Sequence, residues 1–424
     1  MSKNIPSFFP LLEEADNFTL RRAVERLREG LFDPFGVSLL TARESQLNTM
    51  FDQGTQALAK NKGAHLCVCG SYGQGKSHSL TYLRQRALEQ GFVVSSINLD
   101  PREVPLHDFR QVYRALMSQI SFPEGADSLV EVWERWTKTK TNTKEKGDGK
   151  QLQGKEADPL AVIPECMPHV FKAVLTALAS EDMELSERQK GLKKHATFRP
   201  REFPWILANS LNGNSPPLVR LRQALRYREV SFYKDHSLTC KGWEPYVDMV
   251  EALGLMFQQM GYKGWVLLFD EAEAIAQTRI TMRRTSYAIL QRFFCPDAQS
   301  SGLYPVFAFT DDFFATVKGE DYDRLDTRKI FEGKEQPYFA ENYAKAWNRL
   351  KIYDLHDLSS KEWQTLAEKL IHLHAKAYDW QPEPKQLQEQ LAVTLKETGA
   401  REARLKIKAL VNQLDFVHQG IVLG

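Results

Sequence analysis

The chain has 424 residues, of which 42% are hydrophobic and 26% are charged, and its formal net charge at pH 7 is +2. These values are typical of a globular protein that is long enough for two or three domains. They exclude a membrane-spanning helix, since no stretch approaches the roughly 18 consecutive apolar residues that one needs, and the small net charge gives no argument for a nucleic-acid partner.

The N-terminal residues and the cysteines favour a cytoplasmic location without membrane contact. The first residues have neither the basic start nor the apolar core of a secretory signal. The cysteines number five, and only Cys67 and Cys69 are close in sequence, which is not the pattern of a disulfide framework. No second cysteine pair or histidine pair has zinc-ligand spacing, so we interpret Cys67 and Cys69 as buried structural thiols.

Residues 1–61 are predicted to form a helical segment that packs on the core of the protein. From Arg21 to Leu31, the sequence RRAVERLREGL places apolar residues, Leu31 among them, at helical spacing with charges between them. This spacing predicts an amphipathic helix. A second helix is predicted from about residue 44 to residue 60.

Residues 62–124 have the pattern of the first part of a parallel sheet flanked by helices. The short apolar run from His65 to Cys69 is bounded by glycines and predicts a buried strand. A helix is predicted to begin in the turn after Gly70 and to end at Gly91, and a strand is predicted at residues 92–99. Strand, helix and strand in this order are the repeating unit of such a sheet.

Residues 125–240 are predicted to form a long, mainly helical insertion. Helices are predicted at about residues 128–136 and 168–179. Residues 137–158 contain almost no apolar side chains, so they cannot bury enough surface to become fixed. We therefore predict a mobile loop there.

Between Gln189 and Lys234, basic side chains are interleaved with aromatic ones. A nucleic-acid groove needs this combination, with charge for phosphates and rings for base stacking. A second interpretation stays open, because aromatic residues also fill protein cores and the zone contains acids such as Glu202 and Glu229. The basic residues are Lys190, Lys193, Lys194, Arg199, Arg201, Arg220, Arg222, Arg226 and Arg228, and the aromatic residues are Phe198, Phe203, Trp205, Tyr227, Phe232 and Tyr233.

Regular patterns return from residue 241 onward. A helix at residues 245–260 precedes strands at residues 265–269 and 305–309, so residues 241–350 are predicted to complete the sheet. Residues 351–424 are predicted to form a helical lid, with no strand after about residue 353. Ser359 and Glu362 have the spacing of a capping box, and apolar residues repeat along one face of the last helix.

The first candidate functional site in the sequence is a phosphate-binding loop. Residues 70–77, GSYGQGKS, match the phosphate-loop pattern, and they follow a predicted strand and precede a predicted helix. The glycines let backbone N–H groups and a helix N-terminus face phosphate oxygens. Lys76 is expected to reach the terminal phosphates, and Ser77 is expected to ligate Mg²⁺. The expected nucleotide contacts are Gly70, Ser71, Tyr72, Gly73, Gln74, Gly75, Lys76, Ser77 and His78.

Two adjacent carboxylates follow the apolar strand at residues 265–269, at the edge of a parallel sheet where ligands bind. Asp270 is expected to hold the magnesium ion, and Glu271 is expected to polarise the attacking water for hydrolysis. Adjacent acids after a strand can also form a solvated turn, but the intact phosphate loop favours the catalytic interpretation. Glu273 is interpreted mainly as a solvated or helix-capping acid.

Five further residues are candidates for contact with the terminal phosphate, and each has an ordinary structural alternative. Thr310 ends the strand predicted beside that of Asp270, and it either contacts the γ-phosphate or the attacking water or simply ends the strand. Arg324 and Arg328 are either arginine fingers for a neighbouring subunit or surface salt-bridge residues. Arg401 and Arg404 are three residues apart and share one helical face. They either reach the γ-phosphate from the lid or are ordinary solvated side chains.

The segments RRAVERLREGL, GSYGQGKS, GYKGWVLLFDEAE and FAFTDDFF together resemble the ATP-binding proteins of bacterial BREX phage-defence systems, the BrxD-like group. The resemblance is strong over residues 19–110 and 240–330, weaker over the C-terminal helices, and not visible at residues 125–235. It implies an α/β P-loop NTPase fold similar to the AAA+ and initiator-type ATPases, with ATP and Mg²⁺ bound. The two nucleotide motifs lie much farther apart than in most AAA+ proteins, which implies a large insertion.

The resemblance also implies partners and an activity. It implies ATP hydrolysis, assembly into a homo-oligomer, and action beside DNA and other defence-system proteins such as a helicase. Two alternatives stay open: a nucleotide-gated scaffold with negligible hydrolysis, and a P-loop kinase, which the distance between the motifs and the helical lid argue against. A guanine-specific switch is disfavoured, because no Asn-Lys-x-Asp pattern follows the phosphate loop.

Overall fold

The computed structural model describes residues 8–31, 33–145, 158–179, 202–295, 302–316, 321, 330–331, 334–335, 350–397 and 402–420. The first elements in chain order are α1 (Phe8–Glu14), α2 (Asn17–Glu29), α3 (Pro34–Leu40), α4 (Glu44–Ala59), β1 (Leu66–Cys69), α5 (Lys76–Glu89), β2 (Val93–Asn98), α6 (Phe109–Ser118), β3 (Ile120–Ser121), α7 (Leu129–Glu145) and α8 (His169–Ala179). The later elements are α9 (Phe203–Leu211), α10 (Leu218–Tyr227), α11 (Glu244–Gln259), β4 (Trp265–Asp270), α12 (Ile280–Phe294), β5 (Leu303–Phe309), α13 (Asp311–Thr316), β6 (Ile330–Phe331), β7 (Lys334–Glu335), β8 (Ile352–Asp354), α14 (Ser360–Tyr378), α15 (Pro384–Glu397) and α16 (Ala403–His418).

The central sheet has six strands in the order β3-β2-β4-β5-β1-β8. The predicted α/β class is confirmed, but the sheet is mixed rather than parallel throughout. β3 pairs antiparallel with β2 at one edge, whereas the other neighbouring strands are parallel. β3 is only two residues long, because the chain turns directly after it, where the Phe122 N–H donates to the Ala126 carbonyl at 2.8 Å.

Alternating side chains of the central strands enter two hydrophobic cores, one on each face of the sheet. In β1, Cys67 and Cys69 lie in the core that contains α6, α11 and α12, whereas Leu66 and Val68 lie in the core that contains α4 and α5. Both thiols are free, and burial raises the pKa of Cys69 to about 12. The two cysteines therefore share one face of the sheet as protonated thiols.

The helices of the insertion extend the core on the Cys67 face of the sheet. Trp133 of α7 and Phe203 of α9 are buried in that core with α6 and α11. The Trp133 indole N–H donates to the carbonyl of Leu175 in α8 at 2.9 Å. These helices therefore pack together with the sheet rather than forming a separate hydrophobic core.

The prediction that a loop begins at residue 137 is wrong, because α7 continues to Glu145. The sequence has no helix-breaking glycine or proline before Gly147, and the Thr139 hydroxyl donates to the Arg135 carbonyl at 2.9 Å within the helix. The rest of the predicted loop, residues 146–157, lies outside the described residues.

The C-terminal helices α14–α16 share a separate hydrophobic core with α1 and α2. Leu20 and Val24 of α2 pack there with Leu370 of α14 and Leu410 of α16. We expected the N-terminal segment to pack on the core around the sheet, and in the structure α4 does so, with Phe51 fully buried. The N-terminal segment therefore contributes to both the sheet core and the lid.

The boundaries of two other elements differ from the predictions. α2 ends at Gly30, whose φ is +75°, so Leu31 lies beyond the helix and is 45% exposed. β8 was not predicted; its three residues pair with β1 and are only partly buried, so no apolar run marks them. The capping box of Ser359 and Glu362 is present as predicted. Every helix in the described ranges is too short or too polar to span a membrane.

Candidate nucleotide-binding site

The phosphate loop, residues 70–75, connects β1 to α5 at the carboxyl edge of the sheet. Gly73 and Gly75 have φ values of +83° and +97°, a left-handed conformation that glycine adopts most easily. A Cβ atom at Gly73 would lie 2.8 Å from Cγ of Glu402, which directly precedes α16. The loop therefore needs glycine at position 73 for its conformation and for the close approach of the lid.

Lys76 is the first residue of α5, and only 8% of it is exposed. Its ammonium group donates to the carbonyl oxygens of Gly70 at 3.0 Å and Ser71 at 3.4 Å. No carboxylate among the described residues forms an ion pair with it. Burying an unpaired charge is costly, so this ammonium group is prepared to bind an anion.

Side-chain hydrogen bonds hold the phosphate loop to its neighbours. The Ser71 N–H donates to Oε1 of Gln74 at 2.7 Å, and Nε2 of Gln74 donates to Oδ1 of Asp357 at 3.1 Å. The Ser71 hydroxyl donates to Oδ2 of Asp311 at 3.0 Å. Tyr72, at the tip of the loop, is 73% exposed. The loop is thus tied to the first residue of α13 and to the segment between β8 and α14.

Asp270 and Glu271 differ in exposure and in backbone conformation. Asp270 ends β4 and is 8% exposed, whereas Glu271 is exposed. Glu271 has φ 53° and ψ 37°, and its N–H donates to Oδ1 of Asp270 at 2.9 Å. The left-handed conformation costs a non-glycine residue roughly 1–2 kcal/mol. Strained residues beside a cavity are typical of functional sites.

Glu273 is a partly buried carboxylate rather than the solvated acid that we expected. Its Oε2 atom is buried and has no hydrogen-bond partner among the described residues. Burial raises the pKa of Glu273, Lys76 acts in the opposite direction, and Asp270 and Glu271 raise the pKa further. Glu273 therefore belongs to the same group of interacting charges as the predicted site residues.

A single cavity of about 520 Å³ brings these groups together, although β5 lies between β1 and β4. Its polar lining includes residues 72–79 and Asp270, Glu271 and Glu273. The N-terminal segment, the residues after β8 and the lid add apolar side chains, which are Leu27, Leu31, Val37, Leu40, Leu47, Leu355, Leu358 and Ile407. A nucleotide combines anionic phosphates with a flat base, and the lining offers contacts of both kinds.

His78 connects α5 to α3 rather than adding positive charge for phosphates. Its Nε2 lies 3.0 Å from Oγ1 of Thr41, and the Thr41 hydroxyl donates its proton to the Val37 carbonyl at 2.7 Å. The His78 ring must therefore donate from Nε2. Loss of hydration lowers the pKa of His78 to about 4, so the ring is neutral at pH 7.

The remaining candidates are divided between the described residues and the rest of the chain. Thr310 follows β5, which pairs with both β1 and β4, so it lies between the phosphate loop and Asp270 along the sheet edge. Arg404 lines the cavity, and its Nη2 is 3.5 Å from the Glu402 carboxylate. Three candidates lie outside the described residues: Arg324, Arg328 and Arg401.

Sequence reasoning missed the residues that hold the loop in place. Asp311 could have been found, because it follows Thr310 at the same sheet edge. Glu402, Asp357 and Thr41 come from distant segments and belong to no motif, so only the folded chain shows that they contact the loop or α5.

The described residues contain no group of three or more His, Cys, Asp or Glu side chains that could hold a metal ion by themselves. A magnesium ion beside a nucleotide needs fewer protein ligands, because phosphate oxygens and water complete its coordination. Ser77 and Asp270 both line the cavity and offer oxygen ligands. The donor set therefore fits a nucleotide-bound magnesium ion.

Comparison with protein families gives one match. The model of a family described as BREX system ATP-binding protein BrxC/D matches residues 19–175 and 243–421. The matched stretches contain the phosphate loop, the Asp270 strand and the lid, and they extend beyond the residues over which the resemblance was recognised. A comparison with curated proteins found no match.

Proposed function

The chain belongs to the BREX system ATP-binding protein BrxC/D family, and from that premise we propose that it is an ATP-binding, ATP-hydrolysing and AAA+-like component of a bacterial anti-phage defence system. In this proposal the protein works in the cytoplasm as a homo-oligomer. It acts with DNA and with a partner such as a helicase.

The observation that carries the proposal is the buried ammonium group of Lys76 in the same cavity as two carboxylates. Lys76 has only carbonyl oxygens as described partners, and Asp270 and Glu271 line the same space. A triphosphate would supply the missing negative charge for Lys76 and for the N–H groups at the start of α5. The apolar side chains that line the cavity would receive the base.

Ser77 and Asp270 are the residues that would hold Mg²⁺ beside the phosphates. When bound, the ion neutralises phosphate charge and favours attack on the terminal phosphorus. Asp270 suits this role because it is fixed at the end of β4 and accepts the Glu271 N–H, leaving its second oxygen available to a ligand.

Glu271 is the group that would accept a proton from the attacking water. Its side chain is exposed in the cavity, and a general base of this kind contributes roughly 10²–10⁴-fold to the rate. Thr310 would orient the water or the γ-phosphate from the neighbouring strand. Arg401 and Arg404 would reach the phosphate from the lid, and Arg324 or Arg328 would reach the site of an adjacent subunit.

A nucleotide-gated scaffold is the second candidate function. Glu402 packs on Gly73, and Gln74 binds Asp357 before α14, so the phosphate loop is connected to the lid at two places. Such contacts would let ATP binding move the lid without turnover. Measuring ATP binding and turnover on the same preparation, with and without DNA, separates the candidates: tight binding with no turnover in either condition would favour the scaffold.

We expect Gly73→Ala to weaken ATP binding at least tenfold. At φ +83° the backbone of alanine would be strained. The Cβ atom would also lie 2.8 Å from Cγ of Glu402, which would displace the loop or the lid. Isothermal titration calorimetry with Mg²⁺ and ATP measures the effect. Gly91→Ala is the matched control, since Gly91 has φ +88° but no heavy atom within 4 Å of the added Cβ.

Both glycine variants should lose roughly 1 kcal/mol of folding free energy from backbone strain. Only Gly73→Ala should lose nucleotide affinity. Equal affinities in the two variants would show that the contact between Glu402 and the loop has no role in binding.

A further inference from the structure

The α9–α10 hairpin exposes both arginines and large apolar side chains. Trp205 of α9 is 68% exposed, and Val219 of α10 is 66% exposed. Arg222 and Arg226 are also exposed and lie on the same face of α10 as Val219, three and seven residues further on. We call Trp205, Val219, Arg222 and Arg226 the hairpin surface.

The charge on this part of the chain is strongly positive. The helix α10 contains three arginines and no acid. Residues 218–234 contain four arginines and one lysine but only one acid, Glu229. The next acid in the sequence is Asp235. No ion pair joins Arg220, Arg222 or Arg226 to another described residue, so their charges are available to a partner.

The hairpin is fixed to the body of the protein by contacts at both of its ends. Phe203 and Tyr227 pack with ring centroids 5.2 Å apart, which places the start of α9 beside the end of α10. The loop between the two helices is held by Arg110 of α6, which donates to the Ser215 hydroxyl at 2.6 Å. The opposite faces of both helices are buried in the core.

The hairpin surface is separate from the nucleotide cavity, which none of its residues lines. It also lies between the two stretches that the family model matches. The residues of the shared ATP-binding region are therefore elsewhere in the chain, and they leave the exposure of Trp205 and the unpaired arginines unexplained.

We propose that the hairpin surface binds a single-stranded polynucleotide, with Arg222 and Arg226 contacting phosphates and Trp205 stacking on a base. Clustered arginines complement a polyanion, and their contacts do not depend on base sequence. An exposed indole ring adds a stacking platform, which unstacked bases can use and the paired bases of a duplex cannot. The inference rests on the proposed function only in making DNA a partner, and it does not require ATP hydrolysis.

The test is fluorescence anisotropy of the full chain with labelled oligothymidylate, oligouridylate and a duplex of equal length, over a salt series. Arg222→Ala/Arg226→Ala should weaken single-strand binding at least tenfold and reduce the slope of log affinity against log salt by about 1.4, at about 0.7 per phosphate contact. Trp205→Ala should weaken binding roughly 5- to 100-fold with little change in the salt slope. Tighter binding of oligothymidylate or of oligouridylate identifies DNA or RNA as the natural class.

The control variant is Lys60→Ala/Lys62→Ala, which removes two exposed charges from the turn after α4 and should leave binding unchanged. Unchanged melting temperatures establish that the hairpin variants are folded. The proposal is overturned if the hairpin variants bind like the control, or if the duplex binds as tightly as the single strands and Trp205→Ala has no effect. ATP binding and basal hydrolysis, measured on the same samples, should be unaffected; their absence from the parent chain would count against the proposed function alone.

Discussion

Lys76→Met should lose about 3 kcal/mol of ATP-binding free energy, an affinity roughly 100-fold weaker, because a charged hydrogen-bond donor to the phosphates is removed. The same change should not lower the melting temperature of the nucleotide-free protein. Methionine fills a similar volume, and a buried ammonium group bound only to the Gly70 and Ser71 carbonyls contributes little to folding. Calorimetry and a thermal-shift assay with and without Mg²⁺ and ATP measure both quantities.

Lys62→Met is the matched control, since Lys62 is exposed and precedes β1, whereas the phosphate loop follows that strand. It should keep the full thermal shift with ATP, which ligand binding to the folded state produces by mass action. A nucleotide-induced shift that survives in Lys76→Met would show that the phosphates bind elsewhere. A large loss of melting temperature without nucleotide would instead assign Lys76 a structural role.

Glu271→Gln should bind ATP as tightly as the parent chain and lose roughly 10²–10⁴-fold in turnover. Glutamine keeps the size and the hydrogen-bonding reach of the side chain but cannot accept the proton of the attacking water. The left-handed backbone at Glu271 and its N–H bond to Asp270 are unchanged by the substitution. Binding by calorimetry and phosphate release under saturating ATP separate the two effects.

Glu273→Gln is the informative comparison, because Glu273 lines the same cavity and has a raised pKa. We expect it to retain at least a tenth of the parent turnover. If instead Glu273→Gln abolishes turnover and Glu271→Gln retains it, Glu273 and not Glu271 accepts the proton of the attacking water. Equal turnover in both variants and the parent chain would remove both from the catalytic step.

The parts of the fold that the sequence predicted are those with strong local signals. The buried strands β1, β4 and β5 are apolar runs, β2 is rich in β-branched residues between Gly91 and Asp100, and α5 follows a loop that matches the phosphate-loop pattern. α3 also has such a signal, Asp33 as N-cap before Pro34, which was overlooked. Local chemistry was therefore sufficient for the phosphate loop and for the strand that ends at Asp270.

The remaining features depend on contacts between distant segments. β8 has three partly exposed residues and is fixed as a strand only by pairing with β1. The apolar side chains of the cavity include Leu27 and Ile407, from opposite ends of the chain, because α2 packs against α14 and α16. Nothing in either local sequence indicates that these side chains line the same cavity.

Hydrogen bonds from Arg43 connect the start of α4 to the lid. Arg43 at the start of α4 donates to both carboxylate oxygens of Glu362, at 2.7 and 3.0 Å, and to the carbonyls of His356 and Asp357. Gln74 of the phosphate loop also donates to Asp357. Through Arg43 and Gln74, the start of α4 and the phosphate loop therefore both contact the segment that leads into α14, the first helix of the lid.

We propose that one magnesium-nucleotide complex is shared by the phosphate loop and the carboxylates of β4. The most direct measurement is a crystal structure of Glu271→Gln grown with ATP and Mg²⁺. It should show the terminal phosphates at the Lys76 ammonium group, the metal ion between Oγ of Ser77 and the Asp270 carboxylate, and the base between Leu40 and Ile407. Triphosphate density away from Lys76, or a metal ion that contacts neither Ser77 nor Asp270, would contradict it.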